Sequence, residues 1–160
     1  MHKFLAVSTL ALAGVIAAPQ AHAIVDTDFG VKVGMTSLEN DASAAKNIGL
    51  VWNIEFVHMF GMELEGNTTV SDGRYDTPLG GVDYKDRQLG AYATLTTPGP
   101  VYFKAKAGYV NNHVEIGNSS SSDTDMGYGI GVGFTTFELE LTRSKFKGNN
   151  VDLLSASFKF

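Results

Sequence analysis

The sequence predicts an all-β protein: an eight-stranded, antiparallel, up-and-down transmembrane β-barrel that forms after a signal peptide has been cleaved. Three observations predict this fold. The first 23 residues have the pattern of an export signal, eight later segments alternate strictly between apolar and polar or small residues, and aromatic residues gather where those segments end. The 160 residues are enough for one domain of this kind.

The composition excludes several classes of protein. The net charge of −5 leaves nothing to neutralise a phosphate backbone, so we expect no nucleic-acid partner. The chain has no cysteine, which excludes disulfide scaffolds and cysteine-based zinc sites, and it has only four histidines. The aspartates of the predicted links do not have the spacing of an EF-hand. We therefore expect no metal site and no cofactor.

Residues 1–23 form the predicted signal peptide. Lys3 gives a positive start, the next 15 residues are apolar apart from one serine and one threonine, and Ala21 and Ala23 frame an A-x-A cleavage site. The apolar run is shorter than the roughly 20 residues of a membrane-spanning helix. We predict cleavage after Ala23, which leaves residues 24–160 as one β-barrel domain. That domain has no apolar run long enough for a helix, so it can enter lipid only as a closed barrel.

Eight segments alternate with a period of two, which is the pattern of strands with one apolar face. The clearest is 126–134, where every even position is large and apolar and every odd position is glycine. The third segment is the weakest, because Gly66 and Thr68 fall on its apolar face. An even number of strands can close an antiparallel barrel. The predicted strands are residues 29–36, 48–57, 62–70, 88–95, 101–109, 126–134, 137–142 and 153–160.

The predicted connections are short at one end of the barrel and mostly longer at the other. This asymmetry is typical of membrane barrels, which have tight turns on one side and longer loops on the opposite side. The tight turns are residues 58–61, 96–100 and 135–136, the longer links are residues 37–46, 71–83 and 111–125, and the link near residues 147–150 is short.

Phenylalanine is concentrated at the tight-turn end. Eight of the nine phenylalanines that follow the signal peptide lie there, and Phe146 is the exception, while Tyr109 and Tyr128 point outward near the other end. Aromatic residues at both rims are typical of barrels in a bilayer. A soluble, lipocalin-like barrel is the rival that alternation alone allows, but it would coat its surface with a glycine stripe and would not explain the aromatic rims.

These features together resemble the small outer-membrane β-barrel proteins of Gram-negative bacteria, the "porin family" that includes the OmpA-like transmembrane domain and the OmpX and Ail group. The resemblance covers 24–160 and rests on the signal peptide, the eight strands, the glycine-rich segment 127–134 and the ending 157–160. It implies a place in the outer membrane in contact with lipid and lipopolysaccharide. It also implies that the barrel-assembly machinery recognises Phe160, with Phe158 as the penultimate aromatic residue.

The face opposite the apolar one carries charges that we predict inside the barrel. Glutamate pairs on the third and seventh predicted strands face each other across the ring, and lysines on the first and fifth occupy the remaining quarters. Nearly balanced signs predict structural ion pairs at one depth. A catalytic carboxylate pair is disfavoured because eight strands leave no sugar-sized cleft, whereas an ionic gate for a narrow pore stays open as an alternative. The predicted ionic layer comprises Lys32, Glu55, Glu63, Glu65, Lys104, Lys106, Glu138, Glu140 and Lys159.

A Ser-His-acid set can also be drawn at the outer rim, from His113, Glu115 and the serines 119–122. We interpret this segment as a solvated loop without fixed geometry, and we predict no catalytic residue and no enzyme. The predicted function is therefore that of a non-enzymatic integral outer-membrane protein whose loops contact a partner that the sequence does not identify. The alternatives are a narrow gated channel and, behind it, an outer-membrane enzyme acting on lipid.

Overall fold

The computed structural model describes residues 26–38, 42–57, 59–77, 80–117 and 119–160. The predicted signal peptide, with Ala21 and Ala23, lies outside the described residues, so its cleavage and the domain boundary stay predictions. The described residues form ten strands: β1 (Asp26–Leu38), β2 (Ala42–Ser43), β3 (Ala45–Val57), β4 (Phe60–Ser71), β5 (Gly73–Thr77), β6 (Gly80–Thr96), β7 (Val101–Ile116), β8 (Ser119–Phe134), β9 (Phe137–Phe146) and β10 (Asn149–Lys159).

Eight of these strands close an antiparallel barrel in the order β1-β3-β4-β6-β7-β8-β9-β10, which confirms the predicted fold class. The ring closes between β1 and β10, where Gly30 lies opposite Lys159 and Leu38 lies opposite Val151. The backbone N–H of Phe160 donates to the carbonyl oxygen of Phe29 at 2.8 Å and extends this closure to the last residue. No helix among the described residues is long and apolar enough to cross a membrane.

The two ends of the barrel differ in their connections. At the end we call the short-turn end, β8 and β9 are joined by two residues, and Thr135 has a positive φ of 51°. At the opposite, long-hairpin end, Lys147 and Gly148 join β9 to β10 with φ of 49° and 86°. Two consecutive positive φ values are the signature of a type I′ turn, whose twist matches that of paired strands.

The links predicted at residues 71–83 and 111–125 contain regular strands, which corrects the sequence-based interpretation. β7 and β8 pair without interruption from the Val101–Phe134 pair to the Ile116–Ser119 pair, and β5 pairs with both β6 and β2. Sequence reasoning missed these extensions because they carry polar residues on both faces. Without one apolar face, a strand gives no period-two signal.

The outward face of the barrel is apolar. Leu50, Leu89 and Ile130 are about two-thirds exposed, at 66%, 68% and 67%, and Tyr109 and Tyr128 also point outward. At the short-turn end the exposed phenylalanines form a rim: Phe29, Phe60, Phe103, Phe134, Phe137, Phe158 and Phe160. A surface of this kind is suited to lipid rather than to water.

The interior changes character with depth, as β1 illustrates. Lys32 lies among buried charges, Thr36 lies in a region of mostly amide and hydroxyl side chains, and Leu38 belongs to a small apolar cluster at the long-hairpin end. In that cluster Tyr84 packs with Leu38, Ala45 and Val151, and its hydroxyl accepts the backbone N–H of Ala45 at 3.3 Å. The lumen is therefore occupied by charged, polar and apolar side chains in succession.

Candidate functional site

The candidate site is a network of eight buried charges that crosses the lumen. Strand alternation places it: residues two apart share a face, so Glu63 and Glu65 of β4 both point inward, as do the pairs on β7 and β9. Single lysines on β1 and β10 complete the set. The buried members are Lys32, Glu63, Glu65, Lys104, Lys106, Glu138, Glu140 and Lys159, four of each sign.

Lys104 is the centre of one half of this network. Its ammonium nitrogen lies 2.5–2.6 Å from carboxylate oxygens of Glu63, Glu138 and Glu140, which come from two strands on different sides of the barrel. Lys159 adds a second ammonium at 2.7 Å from Glu138. One buried lysine therefore ties β7 to both β4 and β9.

Lys106 and Lys32 form the ion pairs of the other half of the network. Lys106 lies 2.8 Å from Glu63, 3.1 Å from Glu65 and 2.6 Å from Glu140. Lys32 pairs with Glu65 and lies 2.9 Å from Glu140. Each buried carboxylate of the network thus faces at least one ammonium group, as burial of charge requires.

Glu55, the ninth residue of the predicted layer, lies outside this network. It is only half-buried and lines a polar pocket of about 230 Å³ at the mouth of the short-turn end, together with Asp28, Tyr102 and Lys159. The reason is its position on β3, where it pairs with Gly61 close to the end of the strand. The prediction of charges at one depth did not resolve this difference of a few residues.

Two tyrosines complete the network and were not predicted as members. The hydroxyl of Tyr92 donates to Glu65 at 2.9 Å, and its ring lies 4.0 Å from the ammonium of Lys106. The hydroxyl of Tyr102 donates to Glu138 at 3.0 Å. Both residues occupy inward positions of their strands, so the pattern that located the lysines also contained them.

Three of the carboxylates meet the distance requirement for a metal site. Oxygens of Glu63, Glu138 and Glu140 lie within 4.8 Å of one another, and all three residues are buried. The ammonium group of Lys104, however, lies among these three carboxylates. Because the lysine supplies the positive charge there, the arrangement suits an ion-paired plug better than a bound cation.

Between the network and the apolar cluster lies a belt of buried polar residues: Thr36, Asn47, Asn67, Asp86, Gln88 and Asn112. Asp86 is its one acid among the described residues, and Gln88 donates to its Oδ2 at 2.6 Å. It lies beyond the apolar band, since Arg87 and Lys85 flank it on the outward face of β6. Burial away from water raises the pKa of the Asp86 carboxyl to about 6.

The Ser-His-acid set at the rim is placed differently from the sequence-based interpretation. His113 and Ser122 are opposite each other on β7 and β8, not in a loop, and the Nδ1 atom of His113 lies 2.6 Å from the hydroxyl of Ser122. The Nε2 atom of His113 lies 3.3 Å from Glu115. The premise that these residues lack fixed geometry was wrong, because two regular strands hold them.

The residues that the resemblance implicates in assembly lie at the short-turn end. Phe158 is the outward residue opposite Val31 of β1 and Phe137 of β9. Phe160 follows the end of β10 and is 73% exposed. An exposed terminal ring of this kind is accessible to another protein, but its role in assembly stays a prediction.

Residues 7–152 match the family described as "Outer membrane protein beta-barrel domain". No curated protein matches the sequence. Among solved structures, the chain is similar to Ail of Yersinia pestis, crystallised with the heparin analogue sucrose octasulfate, at 16% identity and a TM-score of 0.56 over 85% of this chain and 97% of that one.

Two further structures have the same fold. OprG of Pseudomonas aeruginosa is 12% identical with a TM-score of 0.59, over 85% of this chain and 97% of that one. The outer membrane enzyme PagL is 14% identical with a TM-score of 0.51, over 83% of this chain and 98% of that one. At these identities the likeness concerns the fold alone.

Proposed function

The chain belongs to the outer-membrane β-barrel domain family and lies in the outer membrane, and we propose that it acts there as a surface protein whose interior is plugged and non-enzymatic. One observation carries this proposal. Four lysines and four glutamates cross the lumen as a neutral network in which every charge is paired. The outer hairpins then remain as the part that meets other molecules.

The energetics of buried charge support a plug. Removing one partner from a buried ion pair costs about 3–5 kcal/mol, because the other charge is left uncompensated. Opening a path past Lys104 would separate it from three carboxylates at once. An eight-stranded barrel also has an interior only wide enough for its own side chains.

The same pairing argues against catalysis by the buried carboxylates. A general acid or base must reach its substrate, and Glu63 and Glu138 are 0% and 1% exposed. Their oxygens are engaged by lysines and by Tyr102. The proposed role is therefore one in which the interior holds the barrel together and does no chemistry.

A narrow gated channel is the second candidate, and the pocket at the short-turn end is the observation that favours it. About 230 Å³ of polar space reaches the network from that side, with Glu55, Asp28 and Lys159 in its lining. A gate would require the network to exchange partners and let water pass toward the belt that contains Asp86.

Planar-bilayer recording separates the two candidates. Wild-type protein that shows a heat-modifiable band on a gel, and is therefore a folded barrel, should show no current beyond leak. The double variant Lys104→Ala/Glu138→Ala removes one charge of each sign and should admit small, steady currents, whereas the matched surface variant Lys85→Ala/Asp72→Ala should not. Discrete openings in wild-type protein would contradict the plug and establish the gated channel.

We further propose that lipid and lipopolysaccharide are the protein's constant partners. On the outward face of β6, Arg87 and Lys85 lie beyond Leu89 in the direction of the long-hairpin end. Their side chains are 63% and 55% exposed. Positive side chains just beyond the apolar band meet the phosphates of the outer leaflet. Arg87→Gln/Lys85→Gln should lower retention of lipopolysaccharide during purification, whereas Asp28→Asn at the opposite end, outside the network, should not, and equal retention in the wild-type protein and both variants would contradict this contact.

A further inference from the structure

Three side chains on the outward face of β7 and β8 form a connected series. The Nδ1 atom of His113 lies 2.6 Å from the Oγ of Ser122, and its Nε2 atom lies 3.3 Å from Oε1 of Glu115. Both ring nitrogens are thus engaged, one by a hydroxyl and one by a carboxylate. With the ring proton on Nε2, facing Glu115, Nδ1 has a free lone pair toward the Ser122 hydroxyl.

The strands fix this arrangement on both sides. His113 and Ser122 are direct partners in the β7–β8 ladder, and Arg87 of β6 is the partner of His113 on the other side. One step nearer the apolar band, the amide of Asn111 donates to the hydroxyl of Thr124 at 2.8 Å. A catalytic set requires side chains in a fixed geometry, and paired strands hold side chains in place more closely than a loop does.

The position relative to the membrane limits what could reach the site. Tyr109 and Met126 are the last large apolar pair on this face, and His113 and Ser122 are four residues farther out. Four residues span about 13 Å along a strand, less when the strand is tilted. The three side chains therefore lie at the level of lipid headgroups, above the acyl chains.

Charge at the site suits an anionic lipid. The guanidinium Nη2 of Arg87 lies 3.8 Å from Glu115 and is well exposed, with a side chain that is 63% accessible. It adjoins His113 in the sheet. A cation beside a serine–histidine pair can stabilise the negative oxygen that forms when an ester carbonyl is attacked, and it can also hold a lipid phosphate.

We infer that this face carries an ester-cleaving site for acyl esters of outer-leaflet lipids, with Ser122 as nucleophile and His113 as general base. Ser122 Oγ attacks the carbonyl carbon while its proton passes to Nδ1 of His113. The bond between that carbon and the ester oxygen of the lipid's esterified hydroxyl then breaks, and the departing alkoxide takes the proton from His113. Water attacks the acyl-serine, again through His113, and releases the fatty acid and free Ser122.

Glu115 is a positioning residue in this scheme, since it contacts His113 and not the reacting atoms. The inference depends on the outer-membrane location, and it is independent of whether the interior is plugged. A failed esterase test would leave the bilayer result unchanged, and conductance would leave the esterase result unchanged.

The test uses the full barrel reconstituted in two kinds of vesicle, one of phosphatidylethanolamine and one containing lipopolysaccharide, with released fatty acids measured by mass spectrometry. Release from one kind alone identifies the source of the ester. Ser122→Ala and His113→Ala should each lower release by at least about 100-fold. Ser120→Ala, on the same outward face of β8, should retain it, and all variants should keep the heat-modifiable band.

A fluorophosphonate probe provides a second readout that does not depend on knowing the lipid. It should label Ser122 in the wild-type protein and not in His113→Ala. Glu115→Gln should lower kcat with KM unchanged, which a merely structural role would not produce. No release from either vesicle together with no labelling of Ser122, or a Ser122→Ala variant as active as wild type, would overturn the inference.

Discussion

At the scale of single residues, Lys104 illustrates how the interior is stabilised. Its ammonium faces three carboxylates that are all buried. Lys104→Met should lower the free energy of unfolding by about 3–5 kcal/mol, because uncompensated charge is left in the lumen. Urea unfolding in phospholipid vesicles, followed by the fluorescence of Trp52, the one tryptophan, measures this loss.

Lys85 provides the matched control for that experiment. Its ammonium lies 4.0 Å from Asp72, and both side chains are exposed, at 55% and 41%. Lys85→Met should change stability by less than about 1 kcal/mol, since water screens an exposed pair. Equal losses in the two variants would show that the network adds nothing beyond an ordinary surface ion pair.

Asp86 predicts a pH dependence of stability. Its pKa is raised from 3.8 to about 6 because burial disfavours the carboxylate, although Gln88, Thr36 and His113 partly offset this. Folding therefore favours the protonated acid. This stabilisation is fully present below pH 4 and is lost as the pH rises through 6, and it amounts to roughly 3 kcal/mol.

Asp86→Asn isolates this contribution from that of other carboxyl groups. The wild-type protein should lose stability between pH 4 and pH 7 relative to the variant, and the difference should be constant above pH 7. Unfolding curves of the two proteins at four pH values in this range provide the comparison. If the stabilities of the two proteins changed in parallel with pH, Asp86 would not be the source of the pH dependence.

At the scale of elements, β8 shows how one strand serves two environments. Ile130, halfway between Met126 and Phe134, points outward, and Gly129 and Gly131 flank it on the inward face. Ile130→Arg should cost about 2–4 kcal/mol in vesicles, because it brings a charge toward the middle of the bilayer. Ser120→Arg, on the same face beyond the apolar band, should cost little. An Ile130→Arg variant as stable as the wild-type protein would indicate that this face meets water.

The contact between β7 and β8 also predicts a glycine that is costly to replace. A Cβ added to Gly133 would overlap the ring of Tyr102, whereas one added to Gly66 would touch Leu89 at 3.3 Å. Gly133→Ala should therefore destabilise the barrel by roughly 1–3 kcal/mol, and Gly66→Ala should not. In the double variant Gly133→Ala/Tyr102→Leu the clash is removed, so the two losses should be less than additive.

At the scale of the whole molecule, assembly is a separate matter from stability. Phe160 is exposed and makes its ladder contact through the backbone, so the ring itself is free to be recognised. Phe160→Ala should reduce the heat-modifiable band in outer-membrane fractions, while the purified protein should fold into vesicles as well as wild type. Phe103→Ala, exposed at the same end, is the control. Equal outer-membrane levels of all three proteins would contradict a role in assembly.

The sequence alone determined the strands that cross the membrane. A strand with one face toward lipid alternates between apolar and small or polar residues, as 126–134 does. Such strands can therefore be recognised in the sequence without a structure. The same alternation identified which charges point inward. It could not give their pairing, because Lys104 meets glutamates more than 30 residues away in both directions along the chain.

Only the tertiary structure decided what lies outside the lipid. The outer part of β8 is polar on both faces, and that of β7 carries only Val110 and Val114 as buried apolar residues, so their order comes from backbone pairing between strands, which leaves little trace in hydrophobic periodicity. The pairing therefore placed His113 against Ser122 where the sequence suggested a loop. It also separated Glu55 from the network, because depth in a barrel depends on register, and register depends on which residues of neighbouring strands meet.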